Sequence, residues 1–283
     1  MSKIFFHTAG RLGNQLFQFA FGHQLSMHFD KKVVFFVDKF HHRYDYRWNV
    51  ATEMKDCSHI EKLTVSNARG FILKVSDSLF YRNEKYFERL NSDARIMRAM
   101  NAFDFPEMPD KSPAIVTGFY LSGASIEKSP VFLDELESHL MRRVDTSRFD
   151  LQHDYEIIHV RGTDMKNSVY GSLGKNYYTG LSESKVPRYV ITDDVIQAKT
   201  VTQGLNVVKI FSPEEVNPWE AISLMRNSRR VLVSNSTLAW WGGYLCLKNG
   251  GEAVLPKPFY KENAISTQSL HIEGFKYLDS AYD

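Results

Sequence analysis

Apolar residues in this chain gather in short runs near its start and in its second half, with a mixed stretch between them. "KIFFHTA" reads as a short buried strand, and "GRLGN" after it as a tight turn. From Gln15 to Met27 the apolar positions Leu16, Phe19, Ala20, Phe21 and Leu25 keep helical spacing. "KVVFFVD" supplies a second strand. Strand, glycine turn, helix and strand in that order predict a parallel α/β unit. Residues from about 40 to 110 mix His, Tyr, Arg and Asn, and predict helical stretches near 84–101 with few strands. "PAIVTGFYLSG" predicts a strand running into a turn, and "SPVFLDELESHLMRRV" an amphipathic helix with a proline near its start.

The polar piece "DTSRFDLQHD", 145–154, marks a boundary between an N-terminal lobe, 1–150, and a C-terminal lobe, 151–283. Beyond it the pattern is regular. Strands are predicted at "YEIIHVR", "RYVITD", "NVVKIF", "RRVLVSN" and "EAVLPK", with helices at about 193–204, 218–228 and 237–248. Strands alternating with helices of this length predict a doubly wound parallel sheet, whose ligands bind beyond the carboxyl ends of the strands. Three polar clusters stand at such ends: His159 with Arg161, Asp193 with Asp194, and Ser234 with Asn235. A shared binding site is the reading they suggest.

Composition narrows the function classes. The 283 residues give room for one large or two ordinary domains, and 43% hydrophobic with 24% charged residues exclude a disordered chain. A net charge of +2 offers no global field for nucleic acid, but leaves local anion binding by a few placed arginines. The two cysteines, Cys57 and Cys246, have no partner at metal-ligand spacing, which favours a reduced, intracellular protein. "MSKIFFHTAGRLGNQ" is too polar after Phe6 for a secretory leader, and no apolar run approaches the roughly 18 residues of a membrane span. A cytoplasmic protein is expected, with peripheral contact at the inner membrane face left open.

Each polar cluster has a chemical and a bland reading. In "HVRGTD", Arg161 offers a planar fork that matches phosphate, Gly162 permits a sharp turn, and Asp164 orients Arg161 or acts on substrate. The alternative is a structural salt bridge at a strand end. "SNSTLAWWGGYL" ends a strand and opens a helix whose N-terminus suits an anion; otherwise Ser236 is a plain cap. Trp240 and Trp241 read as packing, and Gly242–Gly243 inside the helix predict close approach of a neighbour. Asp193 and Asp194 suit a guanine edge or a ribose, or one of them caps a helix. "GRLGNQ" is neither a Walker A loop nor a G-x-G-x-x-G fingerprint, which weighs against a dinucleotide oxidoreductase. No D-x-D, H-E-x-x-H or cysteine pair suggests a metal site, so charge on a diphosphate falls to arginine and helix dipole.

"GRLGNQLFQFAFG", "HVRGTD", "YVITDD" and "SNSTLAWWGGYL", in this order between residues 10 and 245, together resemble the α-1,2-fucosyltransferases, the bacterial ones in particular. The H-x-R-x-x-D element is also found in α-1,6- and protein-O-fucosyltransferases. One departure stands out. Bacterial members carry two arginines before Gly-Asp, whereas Arg161 here is followed by Gly162 and Thr163.

The resemblance implies a GT-B-like fold, with two Rossmann-like lobes facing across a cleft and the extreme C-terminus packing back on the first. It implies inverting transfer of L-fucose from GDP-β-L-fucose to the 2-hydroxyl of a terminal galactose, without metal or other cofactor. The acceptor would be a galactose-terminated glycan or a lipid-linked oligosaccharide. Arg161 would grip the β-phosphate, with Asp164 as the candidate general base. His159 and Asp193 or Asp194 would contact the guanosine, and Ser234, Asn235, Ser236 and Thr237 the phosphates. Gly13, Asn14 and Gln15 would lie near the sugar. In "VDKFHHRYDYRW", Tyr44, Asp45 and Trp48 are the acceptor candidates, with a surface hairpin as the alternative. The rival from another class is a non-catalytic nucleotide-sugar or glycan-binding protein on the same scaffold.

Overall fold

The computed structural model of the chain describes residues 3–8, 10–37, 50–54, 60–64, 96–98, 108, 110–163, 165, 168, 170–181, 184–261 and 267–282. They form two compact units, Met1–Ser138 and His139–Asp283.

The first unit holds a five-stranded, all-parallel sheet in the order β3-β2-β1-β5-β4. Its strands are β1 (Ile4–Thr8), β2 (Val33–Val37), β3 (Ile60–Thr64), β4 (Ile96–Arg98) and β5 (Ile115–Thr117). Helix α1 (Leu12–Phe29) returns the chain from β1 to β2, as the apolar spacing predicts, but it is buried on more than one face. Phe19 stacks on Phe35 of β2 at 3.9 Å, and Gly22 makes this possible, since a Cβ there would fall 2.4 Å from the Phe35 ring. Among the polar residues that α1 buries, Gln24 Nε2 reaches Ser125 Oγ and Ser129 Oγ at 2.7 Å each. Among the described residues three more helices follow, α2 (Val50–Glu53), α3 (Gly123–Glu127) and α4 (Pro130–Arg143), the last running on into the second unit.

The second unit is built on six parallel strands, β6 (Glu156–Val160), β7 (Arg188–Thr192), β8 (Val207–Phe211), β9 (Arg230–Leu232), β10 (Glu252–Lys257) and β11 (Lys276–Asp279). Four helices accompany them: α5 (Lys175–Thr179), α6 (Val195–Val201), α7 (Pro218–Arg226) and α8 (Thr237–Lys248). The sheet order is β11-β10-β9-β6-β7-β8. Counted from β6 this is the 3-2-1-4-5-6 order of a doubly wound nucleotide-binding sheet. β6 and β7 are buried along their whole length, with apolar centres at Ile157–Ile158 and Tyr189–Ile191 and polar residues at their ends.

Glycines set the helix packing. A Cβ on Gly242 would meet the Met225 side chain of α7 at 2.5 Å, and one on Gly243 would meet Val233 at 2.7 Å. The close approach expected at this pair is present, and Trp240 and Trp241 are wholly buried. Trp240 Nε1 donates to Leu270 O at 2.9 Å, which satisfies the indole inside the core. At the amino ends of the central strands, register places Glu156 beside both Arg188 and Arg230. Arg188 Nε bonds Glu156 Oε2 at 2.9 Å with both side chains 2% exposed, and Arg230 bonds the other carboxylate oxygen.

Two sequence expectations differ from this architecture. Residues 96–98 lie in the stretch expected to be helical but form β4, because pairing with β5 outweighs local spacing. β11 and α5 were not foreseen. Both are short and flanked by polar residues, and pairing holds β11 at the sheet edge.

Candidate functional site

β6 and β9 are neighbours, yet the chain leaves β6 towards β7 and β8 and leaves β9 towards β10 and β11. That divergence is the topological switch point, where a crevice forms beyond the carboxyl ends of the strands. His159 and Arg161 stand two positions apart at the end of β6, so both point to the same face. Ser234 and Ser236 have the same spacing beyond β9. His159 Nδ1 lies 2.8 Å from Ser234 Oγ, and Arg161 Nη1 donates to Ser236 Oγ at 3.2 Å. Two matched rungs thus join the strand ends.

Ser236 holds the extended backbone of an N-cap for α8, but its side chain makes no cap bond; its hydroxyl takes the Arg161 proton instead. Thr237 opens the helix. The half-buried Arg161 guanidinium therefore sits at the positive end of the α8 dipole, and the two favour an anion together. Burial pushes His159 down to about 4 from its ordinary 6.5; Asp193 opposes this and Arg161 adds to it. The imidazole is neutral at ordinary working pH.

The acidic pair behaves less as a ligand set than as a frame. Asp193 Oδ1 accepts from Gly162 N at 2.7 Å and Oδ2 from Thr163 Oγ1 at 2.9 Å, which fixes the turn that carries Arg161. Asp194 caps α6, accepting from Gln197 N at 2.9 Å, as the bland reading expects of one of the two. Gly162 is enclosed: a Cβ would lie 2.1 Å from Gln197 Oε1 and 2.8 Å from Asp194 Cβ. The glycine that departs from the fucosyltransferase pattern stands where no side chain fits.

Asn235 is wholly buried and staples the β6–α5 loop to the end of β9, with Nδ2 donating to Gly171 O at 2.8 Å and Tyr170 O at 3.1 Å. Tyr170 packs on Tyr260 at 4.7 Å. Burial raises the Tyr260 hydroxyl, the neighbouring Tyr170 adds to this, and Arg161 counters it. Tyr177, another residue that the sequence reading passed over, donates its hydroxyl to Val233 O at 2.6 Å and braces the end of β9. Gln197, Tyr170, Tyr177 and Tyr260 carry no motif; only their place in the folded sheet brings them to the site.

His159, Arg161, Asp193, Asp194, Ser234, Asn235, Ser236 and Thr237 thus gather in the second unit. Gly13, Asn14 and Gln15 belong to the first, in the opening turn of α1. Gln15 spends its amide on the main chain, donating to Gly10 O at 3.0 Å and accepting from Val50 N at 3.1 Å. Gly10, at φ +79°, makes room for Asn14, whose Nδ2 would lie 2.5 Å from a Cβ there. Asp164, Tyr44, Asp45 and Trp48 lie outside the described residues. Among the described residues no three His, Cys, Asp or Glu side chains gather as a metal site would need, and no helix is long and apolar enough to cross a membrane.

No protein-family model matches the chain. It is 21% identical to an α-1,2-colitosyltransferase of Escherichia coli over 295 residues, covering 94% of this chain and 96% of that protein. Its fold is similar to that of a glycosyl transferase family 9 protein from Veillonella parvula, with a TM-score of 0.51 at 10% identity, covering all of this chain and 88% of the other. The fucosyltransferase NodZ from Bradyrhizobium aligns with a TM-score of 0.48 at 11% identity, over 87% of this chain and 94% of its own. The fold is GT-B-like, α/β with a parallel sheet in each unit.

Proposed function

We propose that this chain is a glycosyltransferase that uses a nucleotide-diphosphate sugar, and that the sugar is L-fucose carried on GDP. The observation that carries the reading is the Arg161–Ser236 rung at the N-terminus of α8, at the switch point of a doubly wound sheet. A guanidinium fork and a helix N-terminus converging on one point suit a diphosphate leaving group. The resemblance of four motifs to α-1,2-fucosyltransferases and the colitosyltransferase relative support transfer to a 2-hydroxyl.

In the proposed reaction the acceptor hydroxyl of a terminal galactose attacks the anomeric carbon with inversion, through an oxocarbenium-like state. Negative charge grows on the departing GDP and is met by Arg161 and the α8 dipole, in place of a metal. Asp164 is the proposed base for the acceptor hydroxyl, and the loop bearing Tyr44, Asp45 and Trp48 the proposed acceptor contact. A second reading keeps the site and changes the sugar: the relative's name favours a colitosyl donor.

The test is a donor and acceptor panel read by mass spectrometry. GDP-fucose, GDP-colitose and UDP-sugars are each offered with galactose-terminated acceptors. Fucosylated product with release of GDP is expected, and activity should survive excess EDTA. Colitosylated product alone would move the assignment to the second reading. Binding without turnover across the panel would return the chain to the class of nucleotide-sugar or glycan-binding proteins.

A further inference from the structure

Ser234 is the starting point. It is 0% exposed, and its hydroxyl has His159 Nδ1 as its one hydrogen-bonding partner among the described residues. A hydroxyl can always accept, but its proton also needs an acceptor, and a buried O–H without one costs about as much as a lost hydrogen bond. The acceptor at hand is Nδ1, 2.8 Å away. Nδ1 must then be the unprotonated nitrogen, and a neutral imidazole holding its lone pair there carries its proton on Nε2.

We infer that Ser234 is a positioning residue which locks His159 as the neutral Nε2–H tautomer, so that the ring presents a fixed, uncharged N–H donor to an oxygen of the bound nucleotide diphosphate. The inference rests on the nucleotide-sugar reading for its ligand and on geometry alone for its tautomer. Nε2 makes no hydrogen bond among the described residues, and the ring lies on the same strand face as Arg161, two positions away. The charged groups that face the ring are Arg161, just past the end of its own strand, and Asp193, just past β7. Asp193 is held by Gly162 N and Thr163 Oγ1, and Arg161 donates to Ser236. Burial disfavours the imidazolium in any case, as the lowered value near 4 indicates.

The arrangement has a chemical consequence. An imidazole whose lone pair is engaged by a hydroxyl and whose imidazolium is too strong an acid to persist makes a poor general base for an acceptor hydroxyl. It makes a good donor whose protonation stays constant while charge develops. His159 is thereby assigned to ligand recognition and set apart from proton abstraction.

The experiment is nitrogen-15 NMR of histidine-labelled full-length protein, with the His159 signals identified by their loss in His159→Gln. Long-range proton–nitrogen correlations separate the two tautomers without any variant. The expected spectrum shows an unprotonated Nδ1 and a protonated Nε2, unchanged between about pH 6 and 8, where an ordinary histidine titrates. A protonated Nδ1, or a ring titrating in that window, overturns the lock. Addition of GDP should shift the Nε2–H proton; calorimetric binding of GDP that leaves it unmoved overturns the ligand half of the inference. Failure of GDP to bind at all overturns that half together with the nucleotide reading, while the tautomer measured in the free protein still decides the lock. Ser234→Ala should yield a mixture of tautomers and about ten-fold weaker GDP binding, with Ser234→Thr restoring both. Retention of a single Nε2–H tautomer in folded Ser234→Ala would show that something else holds the ring.

Discussion

At the scale of single residues, the side chains of the site make separate predictions. Arg161→Lys keeps the charge but loses the planar fork and the Ser236 bond. A loss of roughly 10²–10³ in kcat is expected, with a larger one for Arg161→Ala, the range seen when one donor to a developing charge is removed. A structural Arg–Asp pair would behave differently: thermal melting would fall while the folded protein turned over normally. Gly162→Ala forces a methyl to within 2.8 Å of Asp194 Cβ as well as against Gln197, so urea unfolding should show a loss of about 1–3 kcal/mol. His159 sets a pH dependence whose sign follows from its value near 4 in the fold against 6.5 when unfolded. Between those values the unfolded chain binds the extra proton, so stability is full above about 6.5 and falls as pH drops towards 4. His159→Gln should flatten the melting temperature over that interval relative to wild type.

At the scale of elements, α7 shows how a local signal and a distant partner combine. Asn217 accepts from Trp219 N and Glu220 N, and Glu220 reaches back to Asn217 N at 2.9 Å, a complete capping box with Pro218 at its first turn. Arg148 then bonds the Glu220 carboxylate at 2.9 Å, tying a 3-10 turn to the helix start. Asn217→Ala should cost about 1 kcal/mol in a thermal or urea melt and leave GDP affinity unchanged. This helix was legible because "NPWE" carries cap, proline and acidic residue within four positions. The strands β6, β7 and β8 were legible from short β-branched and apolar centres set between polar stretches. β4 and β11 were hidden: three and four residues long, they become strands through neighbours distant in the chain. The candidate site divides in the same way. Arg161, Ser236 and the α8 terminus follow from residue type at a strand end. The use of Asp193 and Asp194 as a frame, and of Ser234 as a partner for His159, depends on distances that spacing alone does not encode.

At the scale of the whole molecule, the three central strands of the second unit carry polar groups at both ends, for opposite purposes. The carboxyl ends hold the candidate site. The amino ends hold Glu156 between Arg188 and Arg230, away from the chemistry. Removing the carboxylate takes the Glu156 ion pair from buried Arg188 and from Arg230, which keeps Glu252 at 3.6 Å, so Glu156→Gln should destabilise the fold by about 3–5 kcal/mol while folded protein keeps its GDP affinity. A matching loss of affinity would mean that the two ends are coupled through the strands. The strand order that creates the switch point also bears on how the chain is made. β6, β7 and β8 are complete by residue 211, but the other edge of β6 waits for β9, Arg230–Leu232. During synthesis from the N-terminus a wholly buried strand therefore emerges with one edge bare, and stays so until a further stretch containing α7 has left the ribosome. Chains halted before Arg230 should be aggregation-prone clients of chaperones, and a slow codon run placed between β8 and β9 should lower the soluble yield of an otherwise unaltered protein.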